Sequence, residues 1–143
     1  IHSRLPVVLP ERVDEGLLAW LGALPWPVTF VVHANHAREF DAAVDQAMAR
    51  LRAAGAVLLN QAVLLRGVND SVDALADLCE RGHQAGVLPY YLHQLQRVAG
   101  TAHFEVGDDQ ARALHQALAA RLPGYLVPRL VREIPGDPGK RPL

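Results

Sequence analysis

Three short apolar runs, separated by two segments of helical periodicity, constrain this chain more than anything else in it. Val28-Thr29-Phe30-Val31-Val32-His33 is mostly β-branched and aromatic. Glu39–Ala54 repeats apolar residues at helical spacing, with Phe40, Val44, Ala47, Met48 and Leu51 on one face. Ala56–Leu65 is nearly all apolar apart from Asn60 and Gln61, Asp73–Gln84 is helical again through Leu75, Leu78 and Cys79, and Val87–Leu92 is the third run. The succession strand, helix, strand, helix, strand predicts a parallel sheet with helical cover. Each run passes at its C-terminal end into polar residues, His33-Ala34-Asn35-His36 after the first and His93-Gln94-Leu95-Gln96 after the third. In parallel α/β folds that edge collects the chemistry.

The flanking segments read less regularly. Ile1–Arg4 is the end of a strand, and Leu5–Pro10 is a loop, because two prolines remove ladder donors. Asp14 can cap a helix to about Leu21 or Leu24, which Pro25-Trp26-Pro27 ends. Leu65–Ser71 is a loop in which Asp70 or Ser71 caps the next helix, and Gly86 stops that helix. Arg97–Val106 is a longer loop, Asp108–Arg121 a helix, and Tyr125–Val131 an extended segment. The proline- and glycine-rich Glu133–Pro142 is expected to hold no regular structure. Strand alternation predicts that Tyr90 and Tyr91 face opposite sides of the sheet.

A chain of 143 residues can bury one real core. Its net charge of −1 gives no electrostatic case for a nucleic-acid or membrane partner. Cys79 is the only cysteine and lies on an apolar helix face, so a buried thiol and a reducing, cytoplasmic setting are expected. No run is apolar for long enough to span a bilayer, and no signal peptide is evident. The first residue is Ile1, in a strand already under way, so a piece of a longer protein is expected, with an unpaired edge at Ile1–Arg4.

Candidate functional residues are the polar ones at the strand ends: His33, Asn35, His36, Asn60, Gln61, His93, Gln94 and Gln96. Buried amides need partners, so Asn60 and Gln61 serve either a core network or a ligand over the sheet edge. His33 and His36 are a weak metal pair, since positions i and i+3 of an extended segment diverge. Lys140 follows Pro-Gly-Asp-Pro-Gly, a tight turn that can bring backbone N–H groups near a ligand. A lysine amine can bind an aldehyde cofactor such as pyridoxal phosphate covalently. By composition alone the tail reads as a solvated end, and the stretch is too short for a P-loop.

Several segments together resemble the lysine 2,3-aminomutase family of radical S-adenosylmethionine enzymes. They are Ile1–Val8, His33-Ala34-Asn35-His36, Leu59–Asp70, Pro89-Tyr90-Tyr91-Leu92 and Gly124–Pro128. The tail Arg132–Lys140 is most similar to the branch that makes (R)-β-lysine for elongation factor P. The resemblance implies the C-terminal portion of a six-stranded partial (β/α) barrel, residues 1–122, followed by a cofactor-binding segment, residues 123–143. It aligns Ile1–Arg4 with the third barrel strand, Val28–His33 with the fourth, Ala56–Leu65 with the fifth and Val87–Leu92 with the sixth.

The resemblance further implies a radical 1,2-amino shift converting L-lysine to β-lysine. The cofactors would be pyridoxal phosphate, S-adenosylmethionine and a [4Fe-4S] cluster whose Cys-x-x-x-Cys-x-x-Cys ligands lie outside this chain, in the missing N-terminal half. The fragment alone is then expected to be inactive, and a homo-oligomer stays open. The family's cofactor lysine falls on Lys140, and the acidic residue for the substrate's distal ammonium falls on Glu133. A second substrate carboxylate falls on Gln96, a departure to a neutral amide. His33, Asn35 and Gln61 match strand-end positions facing the cofactor. The alternatives are a non-catalytic ligand-binding module, or another pyridoxal phosphate-dependent or unrelated enzyme on a barrel-derived fold.

Overall fold

The three apolar runs are parallel strands β1 (Thr29–Val32), β2 (Val57–Leu64) and β3 (Leu88–Gln94), and β4 (Arg129–Arg132) continues the parallel set. A short β5 (Arg141–Pro142) returns antiparallel on β4, so the sheet order is β1-β2-β3-β4-β5. The computed structural model describes residues 1–96, 100–134, 136–137 and 139–143. Residues 97–99, Pro135 and Pro138 lie outside the described residues, and with them the start of the Arg97–Val106 loop and both prolines before Lys140. Among the described residues five α-helices complete the fold: α1 (Leu5–Val8), α2 (Glu15–Gly22), α3 (Ala42–Ala53), α4 (Val72–Gln84) and α5 (Asp108–Arg121).

The helices form where local chemistry predicts them. Asp14, Asp41 and Ser71 accept hydrogen bonds from Leu17, Val44 and Ala74 N–H and so cap α2, α3 and α4. Gly55 and Gly86, at φ +90° and +81°, close α3 and α4 in the left-handed conformation that glycine takes without strain. Val44, Ala47, Met48 and Leu51 of α3 and Leu75, Leu78 and Cys79 of α4 are buried, as their spacing predicts. They share one core with Phe30, Val32, Leu58, Ala62, Leu64, Leu92 and Leu130 of the sheet.

The burial of β2 alternates without exception from Leu58 to Leu64. Leu58, Asn60, Ala62 and Leu64 face the core, whereas Leu59, Gln61 and Val63 lie half-exposed on the other face. The apolar strands therefore carry helical cover on one face, and the second face is left for the polar strand-end residues. This open sheet suits part of a (β/α) barrel. On the outer side of β1, Ile1–Ser3 adds a parallel bridge at His2 opposite Val31, with Val31 N–H donating to Ile1 O at 2.8 Å. Among the described residues no strand pairs with the far edge of Ile1–Ser3.

Three local expectations fail for identifiable reasons. Leu5–Val8 is a helical turn rather than a loop, because Pro6 sits in the first turn, where its missing N–H has no helical partner to lose. Gly124–Leu126 is a 3-10 turn, and β4 starts only after Pro128. The tail contains β5, since an edge position tolerates Pro142.

The loops beyond β1 and β2 are held by buried amides. Asn60 accepts from Ala34 N–H at 2.8 Å and donates to Ala34 O at 3.0 Å. Asn69, fully buried, accepts from Leu65 N–H and donates to Asn35 O and Val63 O at 2.7–2.9 Å. Asn69→Ala strands one backbone donor and two acceptors, and urea unfolding should show a loss of about 3 kcal/mol. A loss below roughly 0.5 kcal/mol would mean that water replaces the side chain fully.

Candidate functional site

The polar loop after β1 is built as a rigid bracket. Glu39 Oε1 accepts from the N–H groups of Asn35 and His36 at 2.6 and 3.0 Å, and its Oε2 accepts from Arg4. Asn35 Oδ1 accepts from Val63 N–H at 2.8 Å. These bonds fix the backbone beside His33, whose Nε2 lies 3.0 Å from Gln61 Nε2 across the strand ends. His2 approaches His33 edge-on, with ring centroids 6.4 Å apart.

A bulge in β3 decides which of its side chains join them. Asn60 pairs with Pro89, but Gln61 pairs with Tyr91, so Tyr90 is an extra residue in the ladder. Tyr91 and His93 thereby take the face of Gln61 and Val63, while Leu92 and Gln94 turn into the core. The same bulge overturns the expected separation of the two tyrosines. Their rings lie 3.9 Å apart and Tyr90 Oη donates to Tyr91 Oη at 3.2 Å.

The return of β5 supplies the rest. Val131 faces Pro142 and Arg132 faces Arg141 in the antiparallel register, so one further step sets Glu133 opposite Lys140. Lys140 Nζ is 3.3 Å from Glu133 Oε1 and 4.8 Å from the centre of the Tyr91 ring. Gln96 Nε2 donates to Glu133 Oε2 at 2.9 Å. The Lys140 side chain is only 25% exposed, although Ile134, Gly136, Gly139, Arg141 and Pro142 around it are exposed as a solvated end would be. Lys140 is also the only lysine in the sequence.

Burial holds both central histidines below their ordinary pKa. For His33 the next causes are the positive charges of His2, Arg4 and Lys140. For His93 they are Lys140 and His33, opposed by Glu133. His93 Nδ1 is 3.8 Å from Glu133 Oε1, and with a neutral ring this is a polar contact rather than an ion pair. Cys79 is buried beneath α4, where burial, then Glu80, pushes its thiol up to about 12, so it is a core residue and no nucleophile.

Of the residues singled out in the sequence, Lys140, Glu133 and Gln96 form one directly connected group, and His33 with Gln61 forms a second on the same sheet face. Asn35 is engaged through its carboxamide oxygen in bracing β2. His36 accepts from Arg38 N–H through Nδ1 and caps a 3-10 turn. Among the described residues no three His, Cys, Asp or Glu side chains gather as metal ligands would. Gln94 donates its amide to Val106 O inside the core. His2 and Tyr91 join the site without having been singled out. His2 could have been found only from its strand register, and Tyr91 only from the bulge.

The donor set fits an aldehyde cofactor held by an amine. Lys140 reaches the strand ends, and on the same sheet face two buried polar atoms, Gln61 Oε1 and His93 Nε2, have no hydrogen-bond partner among the described residues.

The chain resembles the C-terminal part of proteins named L-lysine 2,3-aminomutase. It is 51% identical over all 143 residues to the one from Escherichia coli (strain K12), of which it spans 42%. Identity is 44% over 140 residues to that from Haemophilus influenzae, of which it spans 41%, and 37% over 143 residues to that from Clostridium subterminale, of which it spans 34%. No family model matches the chain. Among solved structures, a radical SAM methyltransferase from Sphaerobacter thermophilus shares the fold, with a TM-score of 0.60 and 17% identity over 82% of this chain and 37% of that one.

Two histidines held neutral in the fold but free to protonate when unfolded make the unfolded state bind more protons below pH of about 6.5. Their contribution is complete above that value and is lost as pH falls below it toward the depressed folded values. Urea midpoints measured from pH 7.5 to pH 5 should therefore fall, and a His33→Gln, His93→Gln double variant should flatten the slope. An unchanged slope in that variant would locate the proton uptake elsewhere.

Proposed function

We propose, on the premise of whole-chain resemblance to the lysine 2,3-aminomutases, that this chain is the C-terminal part of such an enzyme. It carries the amine that anchors pyridoxal phosphate and the carboxylate that receives the distal ammonium of L-lysine. The observation that carries the reading is Lys140, the single lysine, set beside Glu133 and above Tyr91 at the C-terminal ends of parallel strands.

Pyridoxal phosphate bound there would supply a π-system able to stabilise a radical beside the migrating nitrogen. The protein's own contribution is position and charge. Lys140 holds the cofactor through its amine. Tyr91 packs beside that amine, and the His33–Gln61 pair offers polar groups on the same face. Glu133, freed of Lys140, presents one negative charge to a substrate ammonium, aimed by the Gln96 amide. Low-pKa imidazoles at His33 and His93 keep two further positive charges away from that ammonium.

S-adenosylmethionine and the iron–sulfur cluster belong, in this reading, to the part of the barrel that supplies three cysteines, since this chain's one cysteine is buried in the core. The chain by itself then performs no radical chemistry. The likeness of Arg132–Lys140 to the elongation factor P branch supports (R)-β-lysine as the product. No helix among the described residues is long and apolar enough to cross a membrane.

With one equivalent of pyridoxal phosphate, the chain should develop absorbance near ~420 nm. Borohydride reduction should then fix one phosphopyridoxyl group on Lys140, found by peptide mass mapping, and Lys140→Ala should abolish both signals. Labelling confined to the Ile1 amine, or unchanged in Lys140→Ala, would overturn the assignment.

A further inference from the structure

Glu133 has one negative charge and two bases beside it. Its Oε2 accepts the Gln96 amide at 2.9 Å, which leaves Oε1 to face Lys140 Nζ at 3.3 Å and His93 Nδ1 at 3.8 Å. His93 sits on β3 between Val63 of β2 and Val131 of β4, so the neighbouring strands bring no charge to its level. The charged and titratable groups around the ring, among the described residues, are Lys140, Glu133 and His33, with Tyr91 edge-on at 5.6 Å. The imidazole is only 12% exposed, and its Nε2 is buried with no hydrogen-bond partner among the described residues. One carboxylate neutralises one cation. A second positive charge in so little water would stay uncompensated, and shedding a proton avoids that cost.

We propose that Lys140 and His93 hold one proton between them across Glu133, and that His93 takes up a proton when the Lys140 amine gives one up. The inference deepens the reading of Lys140 as the anchor of an aldehyde cofactor and rests on it. Bond formation to an aldehyde carbon uses the nitrogen lone pair, which an ammonium lacks. Losing the proton breaks the ion pair of Lys140 with Glu133. An imidazolium at His93 replaces that pair, so the charge of the site does not change: one proton leaves Nζ and one reaches the ring. Nε2 is the open position for it, since a facing carboxylate favours the Nδ1–H tautomer. Gln61 Oε1, also buried without a partner on this face, is an acceptor and suits a ring with a second N–H. While Lys140 is charged, burial first and Lys140 next hold His93 below its ordinary pKa, and Glu133 opposes them. Any other cation seated on Glu133 keeps the ring neutral by the same count. His93 acts through Glu133 and is thus a positioning residue for the charge of Lys140.

The first arm of the test needs no cofactor, so the shared proton and the cofactor reading can fail separately. Imidazole ¹H–¹³C spectra, assigned with His93→Gln and His33→Gln, give the titration midpoint of each ring. The His93 midpoint should lie below about 6.5 in the unmodified chain and above it in Lys140→Met. Lys140→Arg keeps a permanent charge and should leave the midpoint low. Adding Glu133→Gln to Lys140→Met should bring it back below about 6.5, whereas mere loosening of the packing would raise it equally with or without Glu133→Gln. His33, which feels only the positive charges of His2, Arg4 and Lys140, should respond to Lys140→Met and not to Glu133→Gln. In the second arm, loading with pyridoxal phosphate is followed near ~420 nm. His93→Gln should slow it several-fold at pH 7, and the gap should close as pH approaches about 10.4, where lysine loses its proton unaided. A His93 midpoint unmoved by Lys140→Met, or raised equally in the presence of Glu133→Gln, would overturn the proposal. So would loading at pH 7 that His93→Gln leaves unchanged. Absence of any loading signal with the midpoint shifts intact would sink the cofactor reading and leave the shared proton standing.

Discussion

The polar face of the sheet depends on a two-residue strand. β5 pairs with β4 through Val131–Pro142 and Arg132–Arg141, and this short antiparallel return carries the chain's one lysine back over the sheet. Side chains opposite each other in such a ladder share a face, so the seven-residue interval between Glu133 and Lys140 is a geometric quantity. A spacing of six or eight would point one of the two side chains away. Everything upstream serves to give that return something to close over: β1 to β4 in parallel, polar residues at their ends, and helices kept to the opposite face.

Much of this was legible in the chain because the strong signals are local. The periodicity of Phe40 through Leu51 and of Leu75 through Cys79 predicts two helices, and the intervening apolar runs predict parallel strands. These two helices and three strands lie where expected to within a few residues. Lys140, Glu133 and Gln96 were named from their resemblance to a family pattern, and the ladder supplies the physical reason for their spacing. What escaped the sequence was set by non-local pairing. Nothing in Pro89-Tyr90-Tyr91 marks a bulge, since a bulge is a mismatch between two strands and belongs to neither. The composition of Glu133–Pro142 hides β5, because proline and glycine weigh against a strand until a partner edge exists to receive one.

The buried amides show how an apolar strand can serve a polar site. Asn60 interrupts β2 on its core face, where an unpaired amide would be costly, and uses both ends of its carboxamide on Ala34. Asn69 donates its amide to Asn35 O and Val63 O and accepts from Leu65 N–H. The loop beside His33 is thus fixed by side chains from its neighbours as well as by its own Asn35 and Glu39. Rigid backbone there lets burial hold His33 and His93 neutral, since a mobile loop would admit water and restore their charge.

The bulge at Tyr90 ties the core and the polar face of the sheet to one count of residues. Because pleat parity reverses across it, Leu92 and Gln94 enter the interior while Tyr91 and His93 meet Gln61. Loss of Leu92, beyond the bulge, would carry His93 to the core position beside Ala62 and force an imidazole among aliphatic side chains. Substitutions along this strand can be tolerated one by one, but its length cannot drift. In this segment insertions and deletions should be selected against more strictly than changes of residue type.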